Sequence, residues 1–410
     1  MLRRVVFFLW CLLGASPLGA QTSSQLTTSE LNDALNALKI QFEQMRSSYE
    51  MRIAALEQKL IQFSAAEPPA TSSPESLDTS FTEGARTLQA LNPEISVTGD
   101  VTARFSDTSG NPEFNRLNFD SFEMAIQHPL DPYSSAKFFI AFEEGEFDLE
   151  EGYLTWDVLP GNLGLKVGRF HTNFGKMNIY HKHALPWANR DLPTQTLFGD
   201  EGLISEGFSL SWLPPPLPIA DTSEVYFEVV NNSNDLAFSG KGFGDPLYLG
   251  RLLNFYDLTE GTYLEWGISA ATSHWDLLEK KRSTVIGADL SYRWEPLRKP
   301  YRSLELRSEF FYNQREDWPG GNPFGMYAYG EYRLTRRWYT GLRYQSSDSL
   351  ENTDQTQWAL SPYLTFWQSE WVRLRTQWDF LVFNSNQDQN EHRFFVQFTW
   401  SVGPHKHESY

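Results

Sequence analysis

The stretch that decides the fold lies near the end of the chain, in FFVQFTWSV at residues 394–402. Successive side chains of a β-strand point to opposite sides, so alternate residues share a face. One face of this stretch is apolar and carries Phe394, Val396, Phe398, Trp400 and Val402. The other face carries Phe395, Gln397, Thr399 and Ser401. The pattern predicts a strand with one apolar and one mainly polar face.

The preceding segment repeats this division. Its apolar face carries Val372, Leu374, Trp378, Phe380 and Val382, and its polar face carries Arg373, Arg375, Gln377 and Asp379. A water-soluble sandwich would bury the apolar face, whereas a transmembrane barrel turns that face to lipid and lines a wet lumen with the polar one. The chain has 30 Phe, 18 Tyr and 14 Trp at a mean hydropathy of −0.45. Many aromatics at low hydropathy favour the barrel, whose interfaces carry aromatic girdles.

Alternating segments continue upstream and predict sixteen strands in total. Their spans are 94–106, 115–127, 135–143, 148–158, 163–170, 203–213, 222–232, 246–256, 261–272, 282–295, 301–314, 324–334, 338–347, 356–368, 370–383 and 391–402. An even number suits a bacterial barrel with both ends on the periplasmic side. We therefore expect an all-β transmembrane fold, a 16-stranded antiparallel outer-membrane β-barrel preceded by an α-helical coiled coil.

The connections between these strands support the count. Every second connection is longer, as expected of outward loops, except the short one at 144–147. The intervening turns are short and rich in proline. The longest connection, 171–202, is the third outward one.

The N-terminus predicts export. Arg3 and Arg4 precede a short apolar run and a small-residue stretch ending at Ala20, so residues 1–20 read as a signal peptide. The apolar run is too short for a membrane-spanning helix. The sole cysteine, Cys11, lies inside it, so the mature chain has no thiol for disulfides or cysteine chemistry.

Residues 26–64 are predicted to form a periplasmic coiled coil. Apolar residues from Leu31 to Phe63 follow a heptad seam with one four-residue discontinuity near Tyr49. A single amphipathic helix on the barrel is the alternative. Residues 65–93, which contain Pro68-Pro69, read as a linker before the barrel at 94–402, and 403–410 as a tail.

Short motifs suggest a relationship. They are NPEISV at 92–97, VGRF at 167–170 with FGK at 174–176, and GDEGL at 199–203. They resemble a porin-like family related to the phosphate-selective porins, whose members are sometimes labelled zinc-regulated outer-membrane receptors. The architecture is similar to the sixteen-stranded porin superfamily, in which the third outward loop folds inward and narrows the pore. The resemblance spans roughly residues 92–404. A coiled coil before the barrel also resembles porins that reach toward the cell wall.

The 171–202 connection holds a dense polar set. If it folds inward, its charges would set the preference of a pore constriction; otherwise it is a solvated surface loop. The candidate constriction residues are His171, Lys176, His181, Lys182, His183, Arg190 and Asp191. Neutral imidazoles also bind zinc, which makes His171, His181 and His183 candidate ligands. The alternative is hydrogen-bonded loop histidines, since Lys182 places a cation between two of them. No other cofactor is expected.

Alternation also predicts which charged residues face the lumen: Glu305, Arg307, Glu309, Arg343, Arg373, Arg375 and Asp379. Opposed charges on neighbouring strands suit a pore eyelet and suit wall-stiffening salt bridges equally. A phosphate path would need a consistent ladder of basic residues, and here carboxylates interleave.

The sequence also excludes several functions. A formal net charge of −18 argues against nucleic acid as a partner. No nucleophile elbow or paired catalytic motif points to an enzyme, and sixteen strands are too few for a plugged receptor of about 22 strands. We expect a porin in the outer membrane of a Gram-negative bacterium, in contact with lipid and assembled as a homotrimer, that admits small hydrophilic solutes or ions. The alternatives are a closed barrel that tethers the envelope through peptidoglycan, or a zinc-linked transport protein.

Overall fold

The computed structural model describes residues 93–108, 114–143, 146–216, 218–232, 234–240, 242–297, 299, 301–384 and 389–403. The predicted signal peptide, coiled coil, nearly all of the linker and residues 404–410 of the tail lie outside these residues. No helix in the described part of the chain has the length and apolar character needed to cross a membrane.

Sixteen antiparallel strands form a closed barrel, as predicted. They are β1 (Glu94–Ser106), β2 (Arg116–Pro129), β3 (Ser134–Glu143), β4 (Glu146–Leu159), β5 (Leu163–His171), β6 (Ile204–Trp212), β7 (Thr222–Asn232), β8 (Gly242–Thr259), β9 (Thr262–Asp276), β10 (Lys281–Trp294), β11 (Leu304–Arg315), β12 (Phe324–Arg333), β13 (Trp338–Asp348), β14 (Thr356–Trp367), β15 (Val372–Asn384) and β16 (Gln389–Val402). Each strand pairs with its neighbour in sequence, and β1 closes the barrel on β16, from Val97 opposite Val402 to Ser106 opposite Arg393.

Strand β11 shows why this sequence makes a barrel of membrane type. Its outward residues Leu306 and Phe310 are 45% and 39% exposed, while inward Arg307 and Glu309 are 6% and 2% exposed. The apolar side chains therefore lie outside, and the charged ones lie inside the closed wall. This inverts the arrangement of a soluble sandwich and is the arrangement of a transmembrane barrel.

The largest shifts in strand boundaries are four residues: β8 begins at Gly242 rather than at the predicted residue 246, and β9 ends at Asp276 rather than at 272. Within a sheet, proline is ordinarily found on edge strands, at the first residue of a strand or at bulges, because it has no N–H to donate to a neighbouring strand. Pro246 lies inside β8 between the registered pairs Leu247–Val230 and Gly242–Asn232, where the pairing with β7 is irregular. Its missing N–H therefore removes no ladder bond with β7.

Candidate functional site

The connection between β5 and β6, residues 172–203, lies inside the barrel; we call it the lumen loop. Its ends meet where the Thr172 N–H donates to the Leu203 carbonyl at 3.0 Å. Leu185, Trp187 and Asp191 are completely buried. Since the barrel wall surrounds the loop, these residues determine what space remains in the lumen.

The lumen loop contains a short helix, α1 (Leu192–Phe198), which the sequence analysis missed. Asp191 caps it by accepting the Thr194 N–H at 2.9 Å, and a proline occupies the first turn, where its lack of an N–H does no harm. The helix ends at Gly199, whose φ of 93° favours glycine. The sequence signal for this helix was Asp191 at the N-cap followed by Pro193 at the second helical position.

Arg190 holds the lumen loop together from within. Its guanidinium donates to four backbone carbonyls at 3.1 to 3.3 Å, those of Met177, Tyr180, Asp200 and Glu201. Arg190 was a candidate constriction residue together with Asp191. Both are almost fully buried, and their bonds described here stay within the loop. These bonds fix the shape of the loop.

Three arginines of the wall anchor the second half of the loop. Arg373 donates to the His183 carbonyl at 2.5 Å, Arg375 to the Trp187 carbonyl at 2.9 Å, and Arg343 to the Asn189 carbonyl at 3.1 Å. Arg343 also lies 4.6 Å over the ring of Trp187. Asp379 of β15 accepts from the Asn189 amide at 3.2 Å.

Acidic residues of the wall anchor the first half. Glu309 accepts the N–H groups of Lys176 and Met177 at 3.0 and 2.8 Å, and Glu228 accepts the side-chain amide of Asn173 at 2.6 Å. Lys176 forms an ion pair with Glu265 at 2.9 Å. Two of the seven residues expected to face the lumen, Glu305 and Arg307, form an ion pair at 3.1 Å. The other five bind the loop through hydrogen bonds.

An apolar cluster joins the lumen loop to the wall, which the sequence analysis did not anticipate. Phe174 stacks on Phe311 with ring centroids 6.0 Å apart, and Trp187 meets Tyr329 edge-on at 4.8 Å. These rings are at most 4% exposed. The interior of the barrel thus has its own hydrophobic core, because inward positions on β11 and β12 carry aromatic residues.

The three candidate histidine ligands lie close together, on one side of the lumen. The ring centroids of His171 and His181 are 5.1 Å apart, and those of His181 and His183 are 5.8 Å apart. Three glutamates surround His181. Its Nε2 lies 2.6 Å from Glu151, and its Nδ1 lies 2.8 Å from Glu150 and 2.9 Å from Glu123. We call these six residues the histidine–glutamate cluster.

A β-bulge explains how Glu150 and Glu151 both reach His181. Phe139 pairs with Glu151 and Ile140 pairs with Leu149, so Glu150 is an extra residue in β4. A bulge turns two successive side chains toward the same side of a sheet. Strict alternation would send one of the two glutamates to lipid, which is why the sequence analysis missed both.

The carboxylates set the charge of His181. Burial alone would lower the pKa of its imidazole, but the nearby charge of Glu123 and the hydrogen bonds to Glu123, Glu150 and Glu151 outweigh the burial. Together they raise the pKa of His181 well above its usual value. The imidazole is therefore a cation when no other cation occupies the cluster.

Cavities lie on both sides of the lumen loop. The arginine cavity, of about 220 Å³, lies near the short turns, since Glu295, Ser303 and Trp367 line it. Its charged lining consists of Arg293, Arg307, Arg333, Arg373, Arg375, Glu295, Glu305 and Glu331. The acidic cavity, of about 260 Å³, lies near the longer loops, since Asn234 lines it. Its charged lining consists of Asp148, Glu150, Glu201 and Arg169. A third cavity, of about 450 Å³, is lined by Lys176, Glu224, Arg251 and Glu265 among others.

Two of the remaining candidates border open space. Lys176 lines the third cavity, and Lys182 is partly exposed with its Nζ 3.4 Å from Glu201. Of the predicted lumen-facing residues, Glu305, Arg307, Arg373 and Arg375 line the arginine cavity.

No family model matches the chain. A curated relative from Aquifex aeolicus (strain VF5), described as an uncharacterized protein, is 26% identical over 335 residues, which are 70% of this chain and 69% of the relative. Solved structures resemble the barrel. The anion-selective porin from Comamonas acidovorans has a TM-score of 0.55 at 9% identity, with 76% of this chain and 99% of that porin covered.

Two further channels have the same architecture. The outer membrane channel DcaP of Acinetobacter baumannii has a TM-score of 0.51 at 12% identity, with 76% of this chain and 96% of DcaP covered. OprB of Pseudomonas putida also has a TM-score of 0.51, at 11% identity, with 76% and 94% covered. At these identities the likeness shows the fold, which is that of the outer-membrane porins.

Proposed function

We propose that the chain is an outer-membrane porin in which small hydrophilic solutes pass a narrow path beside the lumen loop. The observation that carries this proposal is the closed barrel with a charged inner wall, crossed by a loop that leaves cavities on both sides. A charged lining stabilises water and polar solutes where an apolar one would exclude them. The likeness to porins and channels supports the same function.

The charges of the two cavities favour dipolar solutes over ions of a single sign. The arginine cavity has five arginines against three glutamates, and the acidic cavity has three carboxylates against one arginine. A path that joined them would carry opposite net charge at its two ends, so an anion and a cation would each meet a repulsive end. The carboxylates of the arginine cavity also argue against a phosphate-selective path, despite the resemblance to phosphate-selective porins.

Planar-bilayer conductance tests the channel. We expect small unitary steps from the full chain, with weak preference between K⁺ and Cl⁻ in the reversal potential. Replacing residues 174–201 by Asn-Gly removes the obstruction, and the bond between Thr172 and Leu203 shows that the loop ends can be joined by a tight turn. This variant should conduct several-fold more. The matched control replaces the exposed turn 277–280 with Asn-Gly and should conduct like the unmodified protein.

A closed barrel that tethers the envelope is the second candidate. The apolar cluster of Phe174, Trp187, Phe311 and Tyr329 favours it, because a dry aromatic contact inside the lumen excludes water. Absence of unitary steps in the full chain, with large steps after replacement of 174–201, would support the closed barrel and contradict the porin. A folded variant without steps would contradict a channel altogether.

We further propose that the protein resides in the outer membrane of a Gram-negative bacterium as a non-catalytic homotrimer. The signal peptide and the porin fold support this location. The heptad seam at 26–64 would assemble the trimer in the periplasm or bind peptidoglycan. Mass measurement in detergent and a peptidoglycan pull-down, each with and without residues 26–64, separate these roles. Unchanged binding after deletion would show that the segment is not the tether.

A further inference from the structure

We propose that Glu151, His171 and His181 form a binding site for one divalent transition-metal ion that links the lumen loop to the wall. Their candidate ligand atoms all lie within 4.8 Å of one another. Ligands at about 2.1 Å in a tetrahedral site are about 3.4 Å apart, so small side-chain movements would complete the site. Metal binding does not depend on which solute, if any, the barrel passes.

An unpartnered nitrogen gives independent support. His171 is 3% exposed, and its Nδ1 is buried without a hydrogen-bond partner among the described residues. A buried polar atom without a partner is costly and therefore uncommon. The His171 ring stands edge-on to that of His181, beside the one further ligand, Glu151. A metal ion bound at Nδ1 would give this nitrogen the partner it lacks.

The surrounding bonds orient the ligands as metal sites require. The backbone N–H of His171 donates to Oε2 of Glu151 at 3.2 Å, which leaves Oε1 facing Nε2 of His181. Nδ1 of His181 lies within 2.9 Å of Glu150 and Glu123. A carboxylate that accepts the far N–H of a ligating histidine fixes its tautomer and raises its basicity. Glu150 and Glu123 are thus positioning residues.

Charge also favours a divalent cation. Three carboxylates lie within 2.9 Å of the ring nitrogens of His181. A divalent metal ion would bring two positive charges to these carboxylates. Two imidazole nitrogens with one carboxylate suit zinc-like ions rather than calcium or magnesium. The acidic cavity reaches Glu150 and offers an entry path from the side of the longer loops.

This site differs from the one expected from sequence. Two groups of described residues have the spacing of metal ligands: Glu151, His171 and His181, and Glu123, Glu150 and His181. His183 belongs to neither group, and its Nδ1 lies 3.6 Å from Glu123. The third protein ligand is the carboxylate of Glu151, which the bulge in β4 turns inward. A fourth position would remain for water or an exchangeable ligand.

Equilibrium dialysis with Zn²⁺ and visible absorption of a Co²⁺ complex test the site. The full chain is used, with His405→Ala and His407→Ala as background because those histidines could bind metal themselves. We expect one ion per chain and the absorption of tetrahedral Co²⁺. Glu151→Gln and His171→Gln should abolish stoichiometric binding, while Glu150→Gln should weaken it about 10- to 100-fold, as loss of an orienting carboxylate does.

Controls separate loss of ligand from loss of fold. Each variant must keep the heat-modifiable mobility of a folded barrel on a denaturing gel. His274→Ala is the matched control, since His274 also pairs with a carboxylate, Asp245 at 2.5 Å, but lies outside the cluster. It should bind metal normally. No ion bound to the folded parent, or binding unchanged by Glu151→Gln and His171→Gln, would overturn the proposal.

Discussion

Replacing Glu309 with alanine should release the first half of the lumen loop. Glu309 lies on β11 and is 2% exposed. Its Oε1 accepts the backbone N–H groups of Lys176 and Met177, where the loop crosses the lumen. Alanine removes the acceptor and leaves both donors without their protein partner, because an alanine side chain has no polar atom to offer.

The two bonds set the size of the effect. Leaving a buried hydrogen-bond donor without its partner costs about 1–3 kcal/mol, so the two N–H groups together contribute about 2–6 kcal/mol to docking of the loop. Water entering the space left by the carboxylate would recover part of this, so the loss should lie near the lower end, about 3 kcal/mol. Since about 1.4 kcal/mol corresponds to a tenfold change, the ratio of undocked to docked loop should rise roughly 100-fold.

Single-channel recording measures the ratio of undocked to docked loop, because each undocking should appear as a large opening. Glu309→Gln is the matched variant, because its amide oxygen can still accept both N–H groups, and it should open far less often than Glu309→Ala. Glu279→Ala, at an exposed ion pair with Lys281, controls for loss of a carboxylate as such. If Glu309→Ala lowers barrel stability yet leaves large openings at the frequency of the unmodified protein, the docking argument is refuted.

Further substitutions test separate parts of the structure. Arg343→Ala should increase the frequency of large openings more than Arg343→Lys. Lysine keeps a charge near the Asn189 carbonyl, whereas alanine loses two hydrogen bonds and the contact with Trp187. If the two substitutions changed the frequency equally, neither contact would hold the loop. Asp191→Ala removes the cap of α1 and should destabilise the loop by about 1 kcal/mol, seen as faster proteolysis between residues 190 and 200. Gly168→Ala should impair barrel folding in lipid vesicles, since φ is 142° and a Cβ would lie 2.2 Å from the Gly152 carbonyl oxygen; Gly250→Ala, where the added Cβ meets nothing within 4 Å, is its control.

The wall was predictable because its signal is local. The alternation in 394–402 assigns faces residue by residue, and the structure agrees: Phe398 is 45% exposed while Gln397 is 1% exposed. The number of strands follows from the same period together with turn residues. Strand β8 shows the limit, because the tolerance of Pro246 depends on its register with β7 and not on its own neighbours in sequence.

The contents of the lumen were predictable only in part. Alternation identified Arg343, Arg373 and Arg375 as inward-facing, but nothing local showed that they would meet carbonyl groups of a loop more than 150 residues away. Glu150 and Glu151 escaped prediction because a bulge breaks the alternation. Arg190 was predicted to lie at a pore constriction, but the lumen loop folds around its side chain. Each of these outcomes depends on long-range register, which a single sequence does not display.

The way the wall holds the lumen loop suggests how such a loop can vary without losing its place. Glu309 accepts from backbone N–H groups, and Arg373 and Arg375 donate to backbone carbonyls. Gln377 likewise accepts the Ala188 N–H at 2.9 Å. Backbone carbonyls are the same for every residue, and backbone N–H groups for every residue except proline, so these bonds fix the path of the loop while leaving many of its side chains free to change. At the histidine–glutamate cluster the wall instead binds one side chain with three carboxylates, and a substitution of His181 should therefore disturb the contact between loop and wall most directly.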